Sequence, residues 1–117
     1  NALFYDIGTN LEGIIAADFN GDGNVDLATA NANSNSIAVL LGNGNGTFQQ
    51  AQFFPVGNYP SQMAASDFNG NGMIDLAVTN TYSSDIAVLF SISTSLLGPV
   101  RGIPFCDLFD IVKNHST

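Results

Sequence analysis

The chain has 117 residues, a length for one domain rather than two, and carries 10 acidic against 2 basic side chains, a formal charge of -8. Both cations, Arg101 and Lys113, lie near the C-terminal end, so no nucleic-acid footprint exists, and the longest aliphatic runs fall far short of the roughly 20 residues that cross a bilayer. A lone Cys106 and a lone His115 exclude disulfide scaffolds and Cys/His zinc sites, whereas a hydrophobic content of 45% suffices for a core.

In chain order, short apolar stretches alternate with Gly, Asn and Ser clusters, and none keeps helical periodicity for a dozen residues, so strands are predicted throughout. Residues 14–17, 25–30, 37–41 and 48–56 form a first set of four strands, and 63–66, 74–79 and 86–91 form their partners in a second set. The GNGNG run at 42–46 reads as a tight connection, because Gly and Asn accept positive φ cheaply. The tail reads two ways. Phe105, Leu108, Phe109 and Val112 have helical spacing, with Pro104 ahead and Lys113 behind. Pro104 and Phe105 also follow Pro55 and Val56 by 49 residues, and on that register a final strand is favoured. The chain begins at Asn1 without a signal-peptide pattern, as expected of a mature product or of a piece of something longer.

A self-comparison organises the whole. Shifting the sequence by 49 residues aligns 4–41 with 53–90 without a gap, and 17 of the 38 pairs are identical. A repeat this clean sets the fold: one domain over 1–117, a first unit at 4–52, a second at 53–101, and a tail at 102–117 that completes or exchanges a strand. Four strands per repeat of about 50 residues match a propeller blade or a comparable stacked β-unit.

The identities concentrate in DFNGDGNVDLA and DFNGNGMIDLA. In the first, Asp18, Asn20, Asp22 and Asp26 occupy positions 1, 3, 5 and 9 of a nine-residue window, with Gly23 at position 6. Oxygen donors at alternate positions converge only if the chain turns sharply, which Gly permits. Carboxylate, amide and the backbone carbonyl of Asn24 are hard donors, suited to Ca²⁺. The second window repeats the scheme with Asp67, Asn69, Asn71, the Met73 carbonyl and Asp75. Two Ca²⁺ sites are expected, the first stronger, because Asn71 replaces an acid. Asx-turns capping their own backbone are the plainer alternative. Thr29 and Val78 stand where an EF-hand needs Glu, and strands flank both loops, so that reading fails.

DFNGDGNVDLA followed by IAVLLGNGNGTF, after a Phe-x-x-Ile/Val-Gly segment, resembles the FG-GAP/VCBS repeats of integrin-α-type β-propellers. The resemblance covers residues 4 to about 91. It implies an all-β fold of two consecutive four-stranded antiparallel blades, with Ca²⁺ held between strands by the ten residues named above. Family propellers close with more blades, so two blades are expected to stay open unless other chains complete them. Segment 4–8 then reads as an outer strand without its own blade, a template for pairing with another copy. Expected partners are copies of the chain or further repeats, by strand exchange, or else the chain is a fragment of a full propeller.

Asn45 and Asn114 begin N-glycosylation triplets. Tyr5, Tyr59 and Tyr82 among scattered Asn residues would suit a sugar-binding face, although Phe19, Phe48, Phe53, Phe54 and Phe68 read more simply as packing. Cys106 reads as a buried thiol or an intermolecular bridge, and His115 as a tail residue. No nucleophile has a base partner and no phosphate loop occurs, so catalysis is not expected. The favoured function is a calcium-stabilised, secreted or cell-surface structural or adhesive module that self-associates. The alternatives are a carbohydrate-binding, lectin-like propeller fragment and an accessory domain of a larger secreted enzyme.

Overall fold

A computed structural model describes residues 2–91 and the backbone of 109–114. Eight strands run in chain order: β1 Leu11–Ala17, β2 Asp26–Asn31, β3 Ser36–Leu40, β4 Gln52–Pro55, β5 Pro60–Ser66, β6 Asp75–Asn80, β7 Asp85–Ser91 and β8 Phe109–Asn114. They form two four-stranded sheets, β1-β2-β3-β4 and β5-β6-β7-β8, with every neighbouring pair antiparallel. This is the meander expected of a blade, and the two blades do not close a ring. No described helix is long and apolar enough to cross a membrane.

The strand predictions hold in number and order, with shifted edges. β1 and β5 start earlier than hydrophobicity indicates, because the register slips between Leu11 and Gly13 and between Pro60 and Met63, which interrupts the alternation. β4 is shorter than expected: Phe48 makes only an isolated bridge to Gly42, with the Gln49 amide donating to the Leu41 carbonyl at 2.8 Å, and the regular ladder begins only at Gln52. Gly44 and Gly46 in the GNGNG run take φ of 86° and 91°, the left-handed backbone expected there.

The tail strand is real but out of repeat register: Ile86 pairs with Asn114, whereas a shift of 49 from the Ile37–Phe54 pair would bring Ile103 opposite it. Because Phe109 and Val112 lie in β8, the helical alternative is corrected; in a strand their spacing no longer marks one face. Leu108, Phe105, Pro104, Cys106 and His115 lie outside the described residues.

The N-terminal expectation also needs correction. Residues 4–8 form no strand; they lie across the outer face of the first sheet, where Ile7 packs on Ala38 and Leu40. The Tyr5 hydroxyl accepts from the Phe48 amide at 3.1 Å, and the two rings meet edge-on at 5.8 Å. The physical reason is that, among the described residues, no third sheet offers this segment an edge, whereas the apolar face next to it does offer burial.

The core lies between the sheets. Ala28, Ile37, Val39 and Leu41 on one side meet Leu76, Val78, Ala87 and Leu89 on the other, with Phe19, Phe54 and Val56 filling the gap. The strands alternate, so each sheet turns a different residue set to each face. The consequence shows in repeat-equivalent residues: Ile37 is 0% exposed and Ile86 50%, Phe19 is 0% exposed and Phe68 48%. The second sheet covers the first pair of side chains, and no described element covers their counterparts. β1 and β5 lie close enough that a Cβ on Gly13 would stand 2.7 Å from the Ser61 carbonyl oxygen.

Candidate metal centre

The loop joining β1 to β2 is shaped by its own side chains. Asp18 Oδ1 accepts from the backbone amides of Gly21 at 2.9 Å and Asp22 at 3.2 Å, and its Oδ2 accepts from Gly23 at 2.8 Å. Asp22 Oδ1 accepts from the Asn24 amide at 2.9 Å, and Asn20 Oδ1 accepts from Asp22 at 3.4 Å. Gly21 and Gly23 take φ of 73° and 88°, the turn that a side chain at either position would strain. The Asx-turn reading is therefore correct as far as it goes.

It does not explain the charge. Asp18, Asp22 and Asp26 bring one carboxylate oxygen each to within 4.8 Å of one another, and residues 1–91 contain no Lys, Arg or His to answer them. Like charges this close repel by about 1 kcal/mol per pair even at water-like dielectric. Asp26 is fully buried, and burial pushes its carboxyl above the ordinary range. The amides of Gly42 and Phe19, donating at 2.8 and 2.9 Å, pull it back, while Asp22 and Asp18 push it up further. Each of its oxygens still keeps a lone pair.

The loop between β5 and β6 is a near copy. Asp67 Oδ1 accepts from Gly70 at 2.9 Å and Asn71 at 3.1 Å, its Oδ2 from Gly72 at 2.7 Å, and Asn71 Oδ1 from the Met73 amide at 3.0 Å. Asn69 Oδ1 accepts from Asn71 at 3.3 Å. Buried Asp75 accepts from Phe68 at 3.0 Å and Ser91 at 2.8 Å. The Met73 side chain reaches across to the first loop, its sulfur and methyl 3.3 Å from where a Cβ on Gly21 would sit. All ten predicted donors thus sit at one end of the strands, eight in two adjacent loops and Asp26 and Asp75 at the heads of β2 and β6.

Sequence reasoning missed the tie of Asp26 to Gly42 and of Asp75 to Ser91, which pins each loop to the chain leaving the third strand. The signal available was the invariance of that Asp between the two units.

Residues 7–78, more than half of the chain, match the sequence model described as an FG-GAP-like repeat. The chain belongs to the FG-GAP-like repeat family. No curated protein and no solved structure matches it. The matched span of this FG-GAP-like chain holds the first blade, both acidic loops, β5 and the first four residues of β6, and ends before β7 and β8. The donor set fits a hard divalent cation: carboxylate, amide and carbonyl oxygens only, with excess negative charge in the first loop.

Asn45 lies exposed in the connection between β3 and β4, and its Oδ1 accepts from the Thr47 hydroxyl at 2.6 Å and the Thr47 amide at 3.1 Å. Asn114 ends β8, and its side chain is outside the described residues. The three tyrosines do not form one face: Tyr5 packs on Phe48, whereas Tyr59 and Tyr82 stack on each other at the opposite end of the strands, centroids 4.5 Å apart.

Proposed function

We propose that the chain is a calcium-stabilised structural module of an extracellular, β-propeller-type assembly. The observation that carries this is the convergence of three carboxylates within 4.8 Å, one of them fully buried, in a stretch without any cationic side chain. Calcium held by Asp18, Asn20, Asp22, the Asn24 carbonyl and Asp26 would cancel that repulsion, and its binding free energy becomes folding free energy. Asp67, Asn69, Asn71, the Met73 carbonyl and Asp75 would hold a second ion more weakly, with one carboxylate fewer. Repeats of this family are typically extracellular, where calcium is abundant enough to fill sites of this kind.

The melting temperature is expected to rise with millimolar Ca²⁺ and to fall on chelation. Melting indifferent to EDTA, together with no heat on calcium titration, overturns the reading.

The module joins further copies or repeats through the outer face of its second sheet. Supporting this is the contrast between Ile86, half exposed, and its buried counterpart Ile37. Sedimentation should show reversible association in calcium, and a monodisperse monomer at high micromolar concentration overturns this part. Asn45, exposed in its turn, is the better placed acceptor for an N-glycan, read out as a mass shift on N-glycanase treatment of secreted material.

A further inference from the structure

At the end of the strands opposite the acidic loops, the two units present the same pair of positions with different chemistry. In the first unit these are Asn10, before β1, and Asn33, after β2; the Asn10 Nδ2 donates to Asn33 Oδ1 at 3.1 Å. A shift of 49 residues turns them into Tyr59, before β5, and Tyr82, after β6, whose rings stack with a 32° tilt. The two pairs adjoin, since Asn10 Nδ2 also donates to the Tyr59 hydroxyl at 3.2 Å.

The turn at this position requires left-handed backbone in both units, with φ of 54° at Asn10 and 58° at Tyr59. Asn tolerates that conformation, whereas a bulky aromatic is an outlier there and holds it only because the surroundings insist. The Asn35 side chain accepts from the Tyr59 amide at 3.0 Å, and the Tyr59 carbonyl accepts from Thr81 at 2.9 Å. The half-buried Tyr59 belongs to neither apolar core cluster, and its ring stacks on Tyr82, which is 72% exposed. Among the described residues, Asn10 Oδ1, Asn33 Nδ2 and the Tyr82 hydroxyl have no hydrogen-bond partner, and none of the four side chains is charged.

We propose that Asn10, Asn33, Tyr59 and Tyr82 form a binding site for a neutral carbohydrate chain. An aromatic face suits the apolar C–H face of a pyranose ring, and free amide and phenol groups beside it suit its hydroxyls. The uncharged lining favours a sugar over an acidic or basic peptide. Because the site lies at the other end of the strands from both acidic loops, it does not rest on the calcium reading.

The test uses the full chain in calcium with cellohexaose, a polymer segment whose rings have flat apolar faces, as the probe. With no Trp in the chain and two of its 3 Tyr in the site, tyrosine emission responds to occupancy there, and Tyr5, packed on Phe48 at the other end, contributes a constant background. A saturable change is expected. Tyr82→Ala should weaken binding by about tenfold or more. Tyr59→Asn should weaken binding while raising the melting temperature, since it installs the residue the turn prefers; a merely structural ring would lose both. The double variant Tyr59→Asn, Tyr82→Asn recreates the first unit's amide pair and is expected to fold. Unchanged emission and unchanged amide NMR shifts up to saturating cellohexaose overturn the proposal. So does undiminished binding by the double variant, or a double variant that loses self-association and keeps its sugar affinity.

Discussion

Asp22 and Asp26 carry the same carboxylate into opposite surroundings. Asp22 is exposed and accepts from its own loop, so Asp22→Asn keeps the Oδ1 bond to the Asn24 amide and removes a repulsive charge. In chelator its stability should stay within about 0.5 kcal/mol of the parent, on the upward side. Calcium affinity, read by calorimetric titration, should fall about tenfold or more, since one anionic donor is gone. Asp26 has both oxygens occupied by the Gly42 and Phe19 amides. Asp26→Asn must turn an N–H₂ toward one of them, and leaving that buried donor unpaired costs about 1–3 kcal/mol. Its melting temperature should therefore fall even in EDTA, although the variant removes a carboxyl whose ionisation the fold resists. These two fates were only half legible. The alternate spacing of Asp18, Asn20, Asp22 and Asp26 announced a cluster of oxygens, but only the fold brings the Gly42 amide, from beyond β3, to the last of them.

At the scale of elements, the two acidic loops share a nearly identical hydrogen-bond pattern and differ in the side-chain donor at position 5 of the window, Asp22 against Asn71. Asn71→Asp is expected to raise calcium affinity at the second loop toward that of the first, seen as two sites of similar affinity in place of a strong and a weak one. The strands themselves were legible because each carries a short apolar run bounded by Gly and Asn. Their starts were not, because the slips beside Gly13 and Met63 break the alternation that would have marked them. Gly13 has a second role there. A side chain at this point would press on the Ser61 carbonyl, so Gly13→Ala should force β1 and β5 apart and cost about 1–3 kcal/mol in chemical denaturation.

For the whole molecule, Ile37 and Ile86 make the decisive comparison. Ile37→Ala opens a cavity between the sheets and should cost about 2–5 kcal/mol, whereas Ile86→Ala, on the uncovered face, should cost well under half as much in the isolated chain. If the outer face of the second sheet is a contact between copies, Ile86→Ala lowers the association constant instead, which sedimentation separates from folding.

The repeat, the strand order and the oxygen-rich loops were determined by sequence alone, since each depends on local spacing: period two in strands, turn residues between them, and donors at alternate positions. Which Ile is buried, where the last strand attaches, and that Tyr59 and Tyr82 stack beside an amide pair were decided only by tertiary structure. A repeat of identical residues cannot say which of its copies has a neighbour, because burial belongs to the pair of surfaces in contact and not to either one.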